Sequence, residues 1–388
     1  MSKTPNSTRR NSSPFDEIVG RENTSSVKWD KYAGTGILPM WVADMDFPAP
    51  PAVVAALHER VDHGIFGYTH APLELEESVV AMLASEYDWP VPRESIVWLP
   101  GLVTGINVAC RAVEGDIFTA TPIYPPFLSS PIHSGKRVKT ARMVLESGRW
   151  VNDTAAIEAA AEDCGLFLLC NPHNPTGRIF ERSELEKIAE LCLSKNLYVC
   201  SDEIHCGILL DEKRHIPFAS LSPEIAKRTI TLMAPSKTYN IPGLACSFAV
   251  VEDEALRRKF LNVMAGIVPH VNALGYAAAL AAYRDSGEWH EELLGYLRGN
   301  RDLVESEIAK MGLSVSHIEA TYLAWIDASH IENPAAFFEA TGVGLSDGRD
   351  FGAEGFVRLN FGCPRSRLIE ALSRMKHALP AKNQAGSE

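Results

Sequence analysis

Short apolar runs alternate with stretches of helical periodicity through the middle of this chain. Six of these runs are predicted to be β-strands: Ser95–Trp98, Asp116–Thr121, Leu166–Cys170, Leu197–Ser201, Thr229–Met233 and Cys246–Val251. Two stretches are predicted to be helices. They are Pro51–His63, which Gly64 follows, and Ser183–Ser194, where Ser183 and Glu186 have the spacing of a capping box. Nearly continuous apolar strands are buried on both faces, so the pattern predicts an α/β fold with a mainly parallel sheet.

The pattern changes after about residue 285, where a long charged helix is predicted from Glu288 to Lys310. It is followed by a strand at Tyr322–Asp327, a helix near Pro334–Ala340, a strand at Phe356–Phe361 and a last helix from Pro364. This order predicts a smaller α+β domain. The expected organisation is a disordered tail (1–14), a segment packing beside the small domain (15–48), a large domain (49–285) and a small domain (286–388).

Composition and net charge exclude several classes of binding partner and site. The chain has 388 residues, 46% of them hydrophobic and 22% charged, which is ordinary for a globular protein of two lobes. The formal net charge of -12 argues against nucleic-acid and anionic-membrane partners, which favour basic patches. The N-terminal residues lack the apolar region of a signal peptide, and the eight cysteines include no CxxC spacing, so neither a disulfide framework nor a metal site is expected. A cytoplasmic location is therefore predicted.

Candidate chemistry follows three of the predicted strands. The loop Asn171–Gly177 follows one strand, Asp202 ends the next, and Ser236-Lys237 follows another. Ligands of open α/β sheets bind outside the carboxyl ends of the strands, so Asn174, Asp202 and Lys237 are expected at one sheet edge. A lysine there can form a Schiff base with a carbonyl cofactor, and a neighbouring hydroxyl can bind phosphate. The alternatives are a Pro/Asn/Gly turn, a structural ion pair or helix cap at Asp202, and a solvated loop lysine.

Two further stretches suit a phosphate-bearing, flat cofactor. A helix opens at Leu102 and Val103, directly after a strand, and backbone N–H groups at such a helix start can bind phosphate. Tyr124 lies just past another strand and could stack on a ring. Each feature has an ordinary alternative, because most strand-to-helix turns look alike and most such tyrosines only pack.

Together these residues resemble the fold-type I pyridoxal-phosphate enzymes of the class I/II aminotransferase superfamily, and most of all its MalY/PatB-type cystathionine β-lyases, or C–S lyases. The stretches that carry the resemblance are Leu38–Phe47, Phe66–Thr69, Asn171–Gly177, Ser201–His205, Ser236–Gly243 and Phe356–Asn360. The resemblance runs from about Phe15 to the last helix. It implies a large domain with a seven-stranded, mainly parallel sheet and pyridoxal 5'-phosphate as the cofactor.

The resemblance also implies roles at the cofactor. Lys237 would bind pyridoxal phosphate covalently and then move the substrate's α-proton, and Asp202 would keep the pyridine nitrogen protonated. Asn174 would bind the phenolic oxygen of the ring, on which Tyr124 would stack. The phosphate would be held by the Leu102 and Val103 amides and the Ser236 hydroxyl; His205 completes the expected cofactor residues.

Two implied roles concern the substrate and a second subunit. Arg358, with Asn174 and the Ala43 backbone, would bind the α-carboxylate of an amino-acid substrate, which suits a guanidinium. Tyr68 would reach the cofactor phosphate of the neighbouring subunit, which implies a homodimer.

Three positions depart from the pattern of many aminotransferases, and they bear on the reaction. Tyr is common where this chain has His205, a hydroxyl group where it has Ala234, and Arg where it has Ala245. With the Trp41–Phe47 element, His205 and Ala245 favour α,β-elimination of cystathionine or another S-substituted cysteine to a thiol, pyruvate and ammonia. The alternatives are an aminotransferase and, in another class, a regulatory or interaction protein that keeps the pocket unused.

Overall fold

The computed structural model describes residues 13–379. Its helices, in chain order, are α1 (Val27–Asp30), α2 (Pro51–Asp62), α3 (Leu73–Tyr87), α4 (Leu102–Ala112), α5 (Pro126–His133), α6 (Thr154–Ala161), α7 (Arg182–Ser194), α8 (Pro223–Ala226), α9 (Glu254–Met264), α10 (Ala273–Asp285), α11 (Gly287–Met311), α12 (Pro334–Ala340) and α13 (Arg365–Ala378). Its strands are β1 (Leu38–Pro39), β2 (Ile96–Leu99), β3 (Asp116–Thr121), β4 (Val138–Glu146), β5 (Arg149–Asn152), β6 (Cys164–Cys170), β7 (Tyr198–Asp202), β8 (Thr229–Met233), β9 (Ser247–Val250), β10 (Ser314–Val315), β11 (Leu323–Asp327), β12 (Val343–Gly344), β13 (Ser346–Asp347) and β14 (Phe356–Asn360).

The central sheet confirms the predicted α/β class. Its strand order is β2-β9-β8-β7-β6-β3-β4-β5. The five neighbours from β8 to β4 pair in parallel, whereas β9 is antiparallel to both β2 and β8. Strand β5 folds back on β4 and extends the expected seven strands to eight. Local periodicity predicts neither β4 nor β5, because β5 is the edge strand and both strands are partly exposed, so neither forms an unbroken apolar run.

Alternation along the inner strands builds two cores, one on each side of the sheet. Ile117 and Leu168 point toward α4 and α9, in a core with Ile106 and Phe260. The residues adjacent to them in the strands point the other way, toward α6 and α7. There Phe118 and Phe167 stack with ring centroids 4.4 Å apart. Because both faces are covered by helices, ligands reach this sheet only from its edges.

The small domain and the N-terminal segment share one core. Strands β10-β11-β14-β13 form an antiparallel sheet, and β1 pairs in parallel with β12 of the same lobe. Phe15, Met40 and Phe47 are buried in the cluster that also contains Leu297 and Val357. This packing brings the segment around residue 43 to the large sheet. Residues 1–12 of the predicted tail lie outside the described residues.

Most predicted elements are present, but the start of one helix differs. Helix α7 begins at Arg182 with Glu181 as its N-cap, and the Glu181 N–H donates to Glu184 Oε2 at 2.9 Å. The predicted capping pair Ser183–Glu186 is therefore wrong by two residues. The buried Arg178 guanidinium binds the Glu184 carboxylate and fixes it at this position. Among the described helices, none is long and apolar enough to cross a membrane.

Candidate active site

The carboxyl ends of β6, β7 and β8 open into a cavity of about 710 Å³ between the large sheet and the small domain. The predicted site residues on its wall are Ala43, Leu102, Val103, Tyr124, Asn174, Asp202, His205, Ser236, Lys237 and Arg358. Parallel strands place their carboxyl ends at one sheet edge, which explains why residues far apart in sequence meet there.

Lys237 follows β8 on the loop that begins at Ala234. Its Nζ donates a hydrogen bond to the Ala43 carbonyl oxygen at 2.5 Å. Burial lowers the pKa of Lys237 from 10.5 to about 8, although the nearby carboxylates of Asp44 and Asp202 act in the opposite direction. About a tenth of this amine is thus neutral at pH 7, far more than for an ordinary lysine, and the neutral form is the one that acts as a nucleophile or base.

Asp202 ends β7 and is only 4% exposed. The Ile204 N–H donates to Asp202 Oδ1 at 3.1 Å. Burial raises the pKa of Asp202 to about 7, even though the Ile204 N–H and the Lys237 charge favour the ionised form. A buried carboxyl group with a raised pKa can pair with a protonated ring nitrogen, because the positive charge of that nitrogen would stabilise the ionised carboxylate.

Arg358 lies on β14 of the small domain and is 5% exposed. Its Nη1 donates to Asn174 Oδ1 at 2.9 Å, and its Nη2 donates to the Trp41 carbonyl at 2.8 Å. The guanidinium lies 4.7 Å from the centroid of the Phe351 ring, and burial lowers the pKa of Arg358 to about 10. The group remains a cation at neutral pH and can bind a carboxylate.

The segment Trp41–Phe47 forms one wall of the site, and residues not predicted from the sequence hold it. Asn360 donates from Nδ2 to the Asp44 carbonyl at 2.7 Å and also to the Val42 carbonyl. The Tyr322 hydroxyl donates to the Ala43 carbonyl at 2.9 Å, so Lys237 and Tyr322 share one acceptor. Asn360 lies within a stretch quoted for the family resemblance, but no local signal points to Tyr322.

A buried ionic cluster anchors the far end of the same segment. Asp46 accepts from Lys28 Nζ at 3.1 Å, Trp29 Nε1 at 2.9 Å and Arg21 Nη1 at 2.7 Å, and Arg367 lies 3.4 Å away. Burial alone would raise the pKa of Asp46, but Lys28 and the other donors outweigh it and lower the pKa. The cluster fixes the backbone that presents Ala43.

The remaining predicted groups lie around Lys237. Helix α4 begins at Leu102 with no side chain capping its N–H groups, and Ser236 lies on the same cavity wall. Tyr124 is half-buried, and burial raises its pKa. His205 is buried with its ring against Tyr322, and burial lowers its pKa well below the usual value.

Two positions behave differently from the rest. Tyr68 is fully exposed and does not line the cavity of its own chain. Ala245 lines the cavity in a left-handed backbone conformation, with φ of 52°. Its methyl side chain offers no hydrogen-bond donor to a phosphate.

Comparison with known proteins places the chain in a family. The model of the family "Aminotransferase class I and II" matches residues 36–375. Cystathionine beta-lyase PatB of Bacillus subtilis is 38% identical, over 94% of this chain and 99% of that protein. The crystal structure of OvoB superposes with a TM-score of 0.92 at 45% identity, covering 96% of this chain and all of the other. The PLP-bound C–S lyase from Staphylococcus hominis has a TM-score of 0.89 at 30% identity, covering 95% and 99% of the two chains. With a match that spans most of its length, this chain belongs to the class I and II aminotransferase family.

Proposed function

We propose that this protein is a pyridoxal-phosphate-dependent C–S β-lyase that converts cystathionine or another S-substituted cysteine to a thiol, pyruvate and ammonia. The observation that carries the proposal is the meeting of Lys237, Asp202 and Arg358 at one cavity. The similarity to proteins named cystathionine β-lyase and C–S lyase supports the choice of reaction.

The residues of the cavity fit this cofactor. Asp202 is a buried carboxyl group whose pKa burial raises to about 7, so it would gain from a protonated pyridine nitrogen. The uncapped start of α4 and the Ser236 hydroxyl can hold a phosphate. Arg358 Nε and His205 Nδ1 are buried without a hydrogen-bond partner among residues 13–379. Lys237 would hold the cofactor, Asn174 its phenolic oxygen and Tyr124 its ring face.

The mechanism follows from the chemistry of the groups around Lys237. Pyridoxal phosphate, when bound, supplies an electron sink for the negative charge that develops at the substrate's Cα. Arg358 and Asn174 bind the α-carboxylate, which fixes the substrate beside Lys237. Lys237 Nζ, with a pKa of about 8, takes the proton from Cα. The bond between Cβ and sulfur then breaks, and the electron pair of that bond leaves with the sulfur.

The leaving sulfur needs a proton, and two groups of the site can deliver it. Lys237 carries the proton taken from Cα, and the Tyr124 phenol is protonated at neutral pH, the more so because burial raises its pKa above the ordinary value. The three-carbon product takes up water and gives pyruvate and ammonia, so atoms and charges balance.

The proposal includes a cytoplasmic homodimer in which Tyr68 of one copy contacts the phosphate bound by the other. Its support is the position of Tyr68, which is fully exposed and outside the cavity of its own chain. Ile65 and Phe66 beside it are 66% and 60% exposed, which suits a segment covered by a second copy.

The decisive experiment measures products. The cofactor-loaded enzyme is incubated with L-cystathionine, and pyruvate, thiol and ammonia are assayed beside amino-group transfer to 2-oxo acids, with Lys237→Ala as the inactive control. Equal amounts of pyruvate and thiol are expected. A 2-oxo acid that keeps its sulfur would identify an aminotransferase instead, and no turnover by cofactor-loaded protein would favour a regulatory protein.

A further inference from the structure

The cavity extends beyond Lys237 to a second wall with charges of its own. Lys31 and Trp41 from the N-terminal segment lie there, opposite Glu339 of α12. Asp347 and Arg349 of the small domain line the same wall. None of these residues has a part in the chemistry described above, except that the Trp41 carbonyl holds Arg358.

Lys31 and Glu339 form an open pair. Lys31 Nζ lies 3.6 Å from Glu339 Oε2, beyond hydrogen-bond distance, and both side chains are about 45% exposed. The Tyr32 hydroxyl bridges them, accepting from Lys31 at 2.7 Å and donating to Glu339 Oε2 at 2.6 Å. Among residues 13–379, Lys31 Nζ makes no other hydrogen bond and Glu339 Oε1 makes none. The pair therefore keeps a free cationic donor and a free anionic acceptor at the cavity wall.

Arg349 lies on the same wall as Lys31 and Glu339, but its guanidinium is already paired with a carboxylate. Its Nε and Nη2 both bind the Asp347 carboxylate, at 2.9 Å and 2.5 Å, and Asp347 also accepts from the Arg349 N–H. A bidentate pair of this kind already satisfies both charges. Arg349 is thus a poor second site for the distal carboxylate of a dicarboxylic substrate.

Trp41 links the open pair to the α-carboxylate site. Its indole ring lies under Lys31, with Nζ 4.8 Å from the ring centroid, while its carbonyl accepts from Arg358 Nη2 at 2.8 Å. The cation–π contact orients the ammonium above an aromatic face. One residue thus contacts both ends of the cavity, so a substrate bound at Arg358 can extend toward Lys31.

We infer that Lys31 and Glu339 form a subsite for a zwitterionic head group at the far end of the sulfur substituent. The substrate class is then an S-substituted cysteine whose leaving thiol carries its own amino and carboxylate groups. Lys31 would bind the distal carboxylate and Glu339 the distal ammonium, since these are the free donor and acceptor. The inference rests on the proposed lyase function and concerns its substrate.

Four substrates that differ only at the far end test the subsite: L-cystathionine, S-(3-carboxypropyl)-L-cysteine, S-(3-aminopropyl)-L-cysteine and S-propyl-L-cysteine. Wild type, Lys31→Met and Glu339→Gln are compared for kcat/KM of pyruvate formation. Dissociation constants are measured in parallel from the visible absorption of the cofactor-loaded enzyme. Met keeps the packing on Trp41, and Gln keeps the acceptor for Tyr32.

Lys31→Met is expected to lower kcat/KM about tenfold for the two substrates with a distal carboxylate and to leave the other two unchanged. Glu339→Gln is expected to do the same for the two substrates with a distal amine. A tenfold loss is the size expected for one hydrogen bond to a charged group. Arg258→Met and Glu254→Gln are matched controls, because this exposed pair on α9 lies outside the cavity.

Equal losses on all four substrates, or no loss on any, would overturn the subsite. If wild type releases no pyruvate from any of the four, the lyase proposal fails, but the dissociation constants still decide the inference. Cystathionine must then bind more tightly than S-propyl-L-cysteine and lose that advantage in both variants. Equal affinities in wild type would refute the subsite.

Discussion

Replacing Asp202 by Asn should affect stability and activity in opposite directions. Burial raises the pKa of Asp202 from 3.8 to about 7. Because a tenfold change in proton affinity corresponds to about 1.4 kcal/mol, ionised Asp202 costs the cofactor-free fold about 4 kcal/mol at pH 8. Asn has no ionised form and avoids this cost, so the cofactor-free variant should be the more stable protein at pH 8.

The sign of the pH dependence follows from the raised pKa. Between about pH 4 and pH 7 the folded protein holds a proton on Asp202 that the unfolded chain has lost, so wild-type stability falls as pH rises through this range. The variant lacks this contribution. Its free energy of unfolding should therefore match that of wild type near pH 4 and exceed it at pH 8.

Urea unfolding of the cofactor-free proteins at pH 4 to 8 measures this difference. Asp62→Asn, at an exposed position on α2, is the control. It should leave the pH dependence of the free energy of unfolding as it is in wild type. With cofactor bound, Asp202→Asn should lose roughly 100-fold or more in turnover, because the amide cannot hold the pyridinium proton. Parallel pH dependence in wild type and Asp202→Asn, or unchanged turnover, would refute the reasoning.

Three other variants test the site and its support. Lys237→Ala should lose the visible absorption band and the borohydride-reducible link to pyridoxal phosphate; a variant that keeps the link would exclude Lys237. Mixing inactive Tyr68→Phe and Lys237→Ala subunits should restore activity, because half of the sites in hybrid dimers then carry neither change; confirmed hybrids without activity would argue against a shared site. Asp46→Asn should cost about 3–5 kcal/mol, since it removes the carboxylate 3.1 Å from the buried Lys28 Nζ and leaves only Asp44 Oδ1, 3.8 Å away, as a counter-charge. The matched change at exposed Asp285 should cost little, and equal unfolding free energies for both variants would contradict the argument.

The contribution of Asp46 to the free energy of unfolding of wild type should also depend on pH. Its pKa is lowered in the folded protein, so this stability is present above the unfolded pKa near 4 and is lost as pH falls through the folded value. The difference between wild type and Asp46→Asn should shrink in acid. If the free energies of unfolding of wild type and Asp46→Asn differ by the same amount at every acid pH, the ionic cluster around Asp46 is not the source of the pH-dependent stability.

The sequence by itself determined the fold class and the sheet edge at which the candidate catalytic residues lie. Apolar runs such as Asp116–Thr121 and Thr229–Met233 match strands β3 and β8 to the residue, because a strand buried on both faces needs an unbroken apolar pattern. Asn174, Asp202 and Lys237 follow such strands, and parallel pairing then places them at one edge. Local periodicity predicts neither the half-exposed strand β4 nor the actual N-cap of α7, because partly exposed strands and helix ends depend on contacts with neighbouring elements.

Only the tertiary structure decided what surrounds that edge. Tyr322 and Asn360 hold the Ala43 wall from the small domain, and Tyr32 bridges to Glu339, 307 residues away in the chain. Such contacts leave no trace in local periodicity. The pKa of Asp202 depends in the same way on burial by other elements. Local sequence fixes which groups follow a strand, whereas their charge state and partners depend on segments that only folding brings within reach.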